Sequence, residues 1–161
     1  MNRRTAFLSL AVLSLVIFAF PQASLAQSSS LLGTWTLNLE KSKFVPGTAP
    51  RSQTNTYQQD GQNLKGTVQA VYAEGNTITT GLMHIYDGQP HAVTGNPVYD
   101  SRSYARVDAN TLVSASTKAG KLVQVANIVI SPDGKTFTTT TSGILDASGR
   151  AGTNIAVYDK Q

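Results

Sequence analysis

The sequence contains no cysteine. Disulfide bonds, cysteine nucleophiles and cysteine metal ligands are therefore excluded, and so is a lipid carried on an N-terminal cysteine. Burial of apolar surface and hydrogen bonding between strands must stabilise the fold instead.

Long apolar runs are also scarce, and the only one lies at the N-terminus. Residues 1–4 (Met-Asn-Arg-Arg) are a short cationic start, residues 6–20 are almost wholly apolar, and Pro21 ends the run. Ser24-Leu25-Ala26 then places small residues at the two positions that a signal peptidase reads. A run of about 15 residues is too short to cross roughly 30 Å of hydrocarbon as a helix.

This pattern predicts a cleaved secretory signal over residues 1–26 and a single mature domain over residues 27–161. We therefore expect a periplasmic or secreted protein with no stable membrane insertion after cleavage. The signal would take Arg3 and Arg4 with it, which lowers the Lys+Arg count from 13 to 11 against 9 Asp+Glu and the net charge from +4 to +2. A charge of +2 spread along the chain makes no basic stripe, so we expect no nucleic-acid partner, and we expect a monomer.

Helical periodicity is absent from the mature chain, where apolar residues do not recur at three and four positions. Short alternating segments rich in Thr, Val, Ser and Tyr occur instead, separated by tight-turn sequences such as Asp60-Gly61, Asp87-Gly88 and Asp133-Gly134. The predicted strands are 33–39, 52–58, 63–72, 76–86, 90–94, 101–107, 111–117, 121–131, 135–143 and 152–159. The pattern predicts an all-β fold. Because nearly every connection is short enough for a hairpin, it favours an up-and-down antiparallel β-barrel of eight to ten strands over a Greek-key sandwich.

Alternation within the strands predicts which side chains face inward. In the first strand Trp35, Leu37 and Leu39 share the inner face, and in the fourth strand the inner face is Ile78, Leu82 and Tyr86. Two strands do not fit a dry interior. The strand 52–58 has Tyr57 as its only large apolar residue, and residues 138–141 are all threonine. Such strands indicate either an edge of the core or a cavity wall that can hold water.

No catalytic or metal-binding constellation is visible. His84 and His91 are the only histidines, and their spacing matches no metal-binding motif. The carboxylates at 60, 74, 87, 108 and 133 fall in turns, and nothing in the sequence pairs the remaining ones for acid–base chemistry. We therefore expect no enzyme activity, no catalytic residue, no metal and no cofactor.

Arg102, Tyr104 and Arg106 share one face of a strand. They are either an anion-binding wall inside the barrel or a solvated outer face. Because burying two unpaired guanidinium groups is costly, the sequence favours the outer face, with Ser103, Ala105 and Val107 inside.

The segment Leu32-Gly33-Thr34-Trp35 resembles the opening of calycins, the superfamily of lipocalins and fatty-acid-binding proteins, whose Gly-x-Trp on the first strand closes one end of the barrel. The segment 153–160 is similar to the last strand of fatty-acid-binding proteins. As a whole, the chain resembles a group of small exported bacterial barrel proteins to which no function is assigned. The segments that carry this resemblance are Tyr86-Asp87-Gly88, 93–97 and 133–136. The resemblance implies a lipocalin-like barrel, with a cation against Trp35 for which Arg150 and Lys160 are candidates.

The chain also departs from the fatty-acid-binding pattern, because the last strand has Ala156-Val157-Tyr158 where those proteins have a carboxylate-binding Arg-x-Tyr. The two helices that cap those barrels are replaced by an irregular loop over residues 40–51. We therefore expect the barrel to bind an uncharged or weakly polar lipophilic molecule and to bind free long-chain fatty acids poorly.

Binding of a small lipophilic ligand is thus the function that the sequence favours, and a filled-barrel interaction module of the cell envelope is the alternative. A barrel enzyme is a weaker alternative. The residues predicted to line the ligand site are Trp35, Tyr57, Tyr72, Met83, Ile85 and Tyr158.

Overall fold

The structure is a computed structural model that describes residues 30–161. The predicted signal peptide lies outside the described residues. No helix within residues 30–161 is long and apolar enough to cross a membrane. The ten strands are β1 (Gly33–Lys43), β2 (Ser52–Asp60), β3 (Asn63–Val71), β4 (Thr77–His84), β5 (His91–Ala92), β6 (Ser101–Arg106), β7 (Thr111–Lys118), β8 (Lys121–Ile130), β9 (Thr136–Ile144) and β10 (Ala151–Lys160).

Each predicted strand has a counterpart, and all pairings are antiparallel between neighbours in sequence except that β1 also pairs with β10. The sheet order is β4-β3-β2-β1-β10-β9-β8-β7-β6-β5. The predicted fold class, an all-β up-and-down antiparallel barrel, is therefore confirmed, with ten strands. The consecutive order follows from the short turns, because a hairpin can only pair strands that adjoin in sequence.

The barrel is nearly closed, and its seam lies between β4 and β5. A single bridge between Gly81 and Thr94 joins the two sides, through hydrogen bonds of 3.0 Å and 2.9 Å. Gly95 follows with a positive φ of 74°, and a Cβ there would overlap the carbonyl oxygen of Thr79. The seam therefore requires glycine at this position.

Two details of the strands differ from the prediction. The fifth strand is only two residues long, because Asn96 accepts hydrogen bonds from the backbone of Val98 and Tyr99 and turns the chain before β6. β1 continues to Lys43 through an irregularity after Asn38. That irregularity shifts the alternation, so that Leu39 is 45% exposed instead of facing inward.

One end of the barrel, here called the packed end, is filled by Leu31, Trp35, Leu112, Ile130 and Phe137, all of which are buried. Trp35 is fully buried, and its indole Nε1 donates to the carbonyl of Leu31 at 2.7 Å. The Phe137 ring meets it edge-on, with ring centroids 4.9 Å apart.

Lys160 provides the cation against Trp35, since its Nζ lies 5.1 Å from the centre of the indole ring. Arg150 is at the other end, where it pairs with Asp146 at 3.5 Å and donates to the carbonyl of Pro46. We call that other end the mouth, and it is formed by the loops 44–51, 72–76, 93–100 and 145–150.

Candidate ligand-binding cavity

A cavity of about 540 Å³ lies inside the barrel and extends to the loops of the mouth. This is within the range of sites that bind one small molecule. Seven strands contribute to its wall, and the strand side chains that line it are Gln53, Asn55, Tyr57, Val68, Ala70, Ile78, Thr80, Leu82, His84, Arg102, Tyr104, Gln124, Ala126, Ile128, Phe137, Thr139, Thr141, Asn154, Ala156 and Tyr158.

The two strands that did not fit a dry interior both belong to this wall. Gln53 and Asn55 line the cavity from β2, and Thr139 and Thr141 line it from β9. Gln53 Nε2 donates to Asn55 Oδ1 and to the hydroxyl oxygen of Tyr158, both at 2.9 Å. Of the two alternatives that the sequence left open, an edge of the core or a cavity wall, these strands form the cavity wall.

Aromatic side chains also line the cavity, and five of the six tyrosines are among them. Tyr158 stacks on Phe137 with ring centroids 4.5 Å apart and an interplanar angle of 21°. Burial raises the pKa of Tyr57 well above its usual value and, against the opposing effect of Arg102, raises the pKa of Tyr104 to about 12. These phenols are therefore uncharged at neutral pH, and they present flat apolar rings with a hydroxyl group.

Arg102 also faces the cavity, which corrects the expectation that it lies on the outer face of its strand. Tyr104, two residues on, is 1% exposed, whereas Val107 on the opposite face is 62% exposed. The inner face of β6 is therefore Arg102, Tyr104 and Arg106. The guanidinium of Arg106 lies over the ring of Tyr86, 4.7 Å from its centre.

The interior accommodates Arg102 because the neighbouring strands supply uncharged polar groups. Its Nε donates to the hydroxyl of Ser116 at 2.7 Å, and a terminal nitrogen donates to Oε1 of Gln124 at 3.4 Å. The ring of Tyr99 lies against it, with the guanidinium carbon 4.3 Å from the ring centre. Among residues 30–161 no carboxylate forms an ion pair with Arg102.

His84 is a further polar group of the interior and is 1% exposed. Its imidazole stacks on Tyr104, with ring centroids 3.9 Å apart, and meets Tyr57 edge-on at 5.1 Å. Neither ring nitrogen has a hydrogen-bond partner among the described residues. Burial, and secondarily the charge of Arg102, lowers the pKa of His84 to about 3, so the ring is neutral at physiological pH.

Of the residues predicted to line a ligand site, Tyr57, Tyr72 and Tyr158 line the cavity. Met83 and Ile85 do not, because Leu82 and His84 occupy the inner face of β4 and alternation turns their neighbours to the other side. Trp35 does not line the cavity either, since it packs into the closed end.

The sequence prediction of the site missed His84 and Arg102, although side-chain alternation along their strands relates each of them to apolar or aromatic neighbours. His84 shares a face with Leu82 and Tyr86, and Arg102 shares a face with Tyr104. Alternation alone places His84 on the inner face of β4, whereas for Arg102 it leaves the choice between the two faces of β6 open. Tyr99 carried no such signal, because it lies in the loop before β6.

The mouth is partly covered by the loop 44–51, which is bound to β10. The backbone N–H of Val45 donates to Oδ1 of Asn154 at 2.8 Å, and Nδ2 of Asn154 donates to the hydroxyl of Thr48 at 3.0 Å. Glu74 and Asp146 are the carboxylates that line the cavity, and both belong to loops of the mouth. No group of three metal-ligating side chains occurs in the part of the chain that the structure describes.

Known structures include proteins that are similar to this chain in fold, but comparison by sequence finds no match. No family model matches the chain, and no curated protein is similar to it. Among solved structures, the zebrafish ileal bile acid-binding protein complexed with cholic acid is similar, with a TM-score of 0.49 and 13% identity over 83% of this chain and 100% of that chain. The barrel itself is established by the strand pairing of this chain.

Proposed function

We propose that the protein is an exported barrel that binds one small lipophilic acid in its cavity, with the acidic group bound by Arg102. The observation that carries the proposal is a cation on a cavity wall that also contains five tyrosines, without a carboxylate partner among the described residues. The proposal concerns binding and not catalysis, because the carboxylates of the wall lie in the loops of the mouth, whereas His84 ends β4 at the opposite end.

The electrostatic reason concerns desolvation. Arg102 stays protonated at any physiological pH, and its neutral partners Ser116 and Gln124 do not cancel its charge. A carboxylate would form shorter, charge-assisted hydrogen bonds with the planar guanidinium. An anion on this side of the cavity therefore gains more than a neutral group of the same size.

The lipophilic part of the ligand would contact the tyrosine and phenylalanine rings, which bury apolar area without charge. This proposal differs from the expectation of a neutral ligand, which no observation on this protein tests. That expectation depended on Ala156 of β10, and Ala156 does line the cavity without a charge. However, the cation is supplied from β6 instead. A filled-barrel interaction module is not supported, because such a barrel would lack a cavity of about 540 Å³.

The test is a calorimetric titration with dodecanoic acid, its methyl ester and dodecanol at pH 7. We expect the acid to bind at least about tenfold more tightly than the ester, which corresponds to about 1.4 kcal/mol. Arg102→Met should abolish that preference. Arg106→Met is the matched control, because Arg106 lies on the same strand face but does not line the cavity. Equal affinities for acid and ester in the unmodified protein would contradict the proposal.

Export is a part of the proposal that depends on residues 1–26 alone. N-terminal sequencing of protein from the exported fraction should give Gln27 or a start within two residues of it. An intact Met1 in that fraction would contradict the proposed signal.

A further inference from the structure

Gln124 is the polar side chain that contacts Arg102 from β8. It is 7% exposed and lines the cavity. Its Oε1 accepts from a terminal nitrogen of Arg102 at 3.4 Å, and its Nε2 donates to the backbone carbonyl of Ile144. One amide therefore serves two partners of opposite kind, a cation that needs an acceptor and a carbonyl that needs a donor.

The pairing of the strands explains why the carbonyl of Ile144 needs a side-chain donor. The pairing of β8 with β9 ends at Gln124 and Gly143, so Ile144 lies one residue past the last pair. Its carbonyl points toward β8, since Gln124 reaches it, but no strand partner remains there. Ile144 is partly buried, and backbone carbonyls in such places are nearly always hydrogen-bonded. The amide of Gln124 supplies the missing donor.

A carboxylate in place of this amide would not satisfy both partners. Glutamate has the same shape as glutamine, but when it is ionised it only accepts hydrogen bonds. It would pair with Arg102 and place an oxygen atom against the carbonyl oxygen of Ile144. The backbone at the end of β9 therefore favours an amide, and the amide leaves the positive charge of Arg102 in place.

The other groups around the cavity do not cancel this charge either. Glu74 and Asp146 are the carboxylates of the lining, and neither forms an ion pair with Arg102. Asp146 pairs instead with Arg150 at 3.5 Å. Ser116, which accepts from Nε of Arg102, is an uncharged hydroxyl. The amide on β8 is therefore the contact at which a change of charge without a change of shape would neutralise the cation.

We propose that Gln124 determines whether this barrel prefers a charged or a neutral ligand. Its neutral amide keeps Arg102 available to an acid, and a carboxylate in its place would give a barrel that does not prefer acids. This inference rests on the proposed function and assigns the acid preference to two residues instead of to Arg102 alone. Gln124 need not contact the ligand, because a fixed charge beside Arg102 acts on an anion through the weakly polarisable interior.

The first experiment titrates dodecanoic acid and its methyl ester by calorimetry at pH 7 into the unmodified protein and two variants. Gln124→Glu should remove the acid preference and leave the affinity for the ester within about twofold, because the new carboxylate pairs with Arg102 and repels a second one. Gln124→Met is the matched control, since it removes the amide without adding charge. It should keep the acid preference within about threefold, because the charge of Arg102 is unchanged.

The outcomes of this titration separate the inference from the proposed function. An acid preference that survives Gln124→Glu would overturn the inference while the proposed function stands. A preference that is lost equally in Gln124→Met would also overturn it, because Gln124 would then act by holding Arg102 in position and not through charge. If the unmodified protein has no acid preference, both are overturned.

A second experiment makes the same comparison without depending on how Gln124→Glu folds. The chain has no cysteine, so Gln124→Cys introduces a single thiol on the cavity wall. In the folded protein, iodoacetamide converts this thiol to a neutral amide and iodoacetate converts it to a carboxylate of the same length. Mass spectrometry verifies that each product is fully modified. The amide product should keep the acid preference and the carboxylate product should lose it, whereas equal preferences would overturn the inference.

Discussion

The packed end and the cavity belong to one barrel, and their inward side chains follow the same alternation. They differ in whether their buried polar atoms have hydrogen-bond partners. At the packed end the single polar atom of Trp35 donates to Leu31, and apolar rings fill the remaining space. In the cavity Arg102 has only neutral partners, and both nitrogens of His84 have none among the described residues.

This difference indicates that the packed end stabilises the fold, whereas the cavity serves ligand binding. Close packing of apolar side chains stabilises a fold, whereas unpaired buried polar groups destabilise it. A protein retains such groups where binding requires them. Substitutions at the packed end should therefore reduce stability, while substitution of Arg102 should leave it unchanged or increase it.

The largest expected effect is at the packed end. Trp35→Ala should reduce the free energy of unfolding by about 3–5 kcal/mol, because it removes a fully buried aromatic side chain. Urea denaturation followed by circular dichroism measures this, with Val107→Ala at an exposed position as the control. A reduction of the free energy of unfolding by less than about 1 kcal/mol would show that the packed end contributes little to stability.

The next effect is a dependence of stability on pH that originates in the cavity. His84 has a pKa of about 3 in the folded protein against 6.5 in the unfolded chain, so the unfolded state binds more protons between these values. Stability should therefore fall as the pH decreases below 6.5, by about 2 kcal/mol between pH 7.5 and pH 5. The aspartates with lowered pKa, such as Asp133 and Asp146, lose their contribution only at lower pH.

The variant His84→Phe should flatten this part of the profile, since Arg102, Tyr57 and Tyr104 around the ring do not change charge between pH 5 and pH 7.5. His91→Gln should leave the slope in place. A slope that persists in His84→Phe would assign the pH dependence to another group.

A smaller effect is expected at the mouth. Asn154→Ala removes the hydrogen bonds to Val45 and Thr48 and should reduce the free energy of unfolding by about 1–2 kcal/mol. Hydrogen exchange should accelerate at Val45 and Thr48 and stay slow at the amide of Trp35. Asn127→Ala, on the exposed face of β8, is the control. Equal acceleration at both ends would mean that the loop and the packed end unfold together.

The smallest effect concerns Arg102, whose substitution should not reduce the free energy of unfolding. Arg102→Met should leave the free energy of unfolding unchanged or raise it by up to about 1 kcal/mol, because it removes a partly buried cation that has no anionic partner among the described residues. The same denaturation measurement applies. A loss of more than about 1 kcal/mol would show that Arg102 stabilises the wall and would remove the contrast between the two regions.

The sequence predicted the fold well because the relevant signals are local. Turn residues such as Asp60-Gly61 and Asp133-Gly134 define hairpins, and hairpins define an up-and-down order. The site was predicted less completely, because inward orientation shows neither how much space remains nor which neighbours satisfy a charge. Ser116 and Gln124 accept hydrogen bonds from Arg102, but they lie on two other strands and have no sequence signal that links them to it.

The division between the two regions also separates the protein's chromophores. The single tryptophan is at the packed end, beside Lys160 and outside the cavity, whereas five of the six tyrosines surround the space where a ligand would lie. Tryptophan emission should therefore report on unfolding, and tyrosine emission should report on occupancy. A fluorescent or ultraviolet-absorbing acid in the cavity would accept energy from several tyrosines at once, so binding and stability can be recorded separately in a single sample.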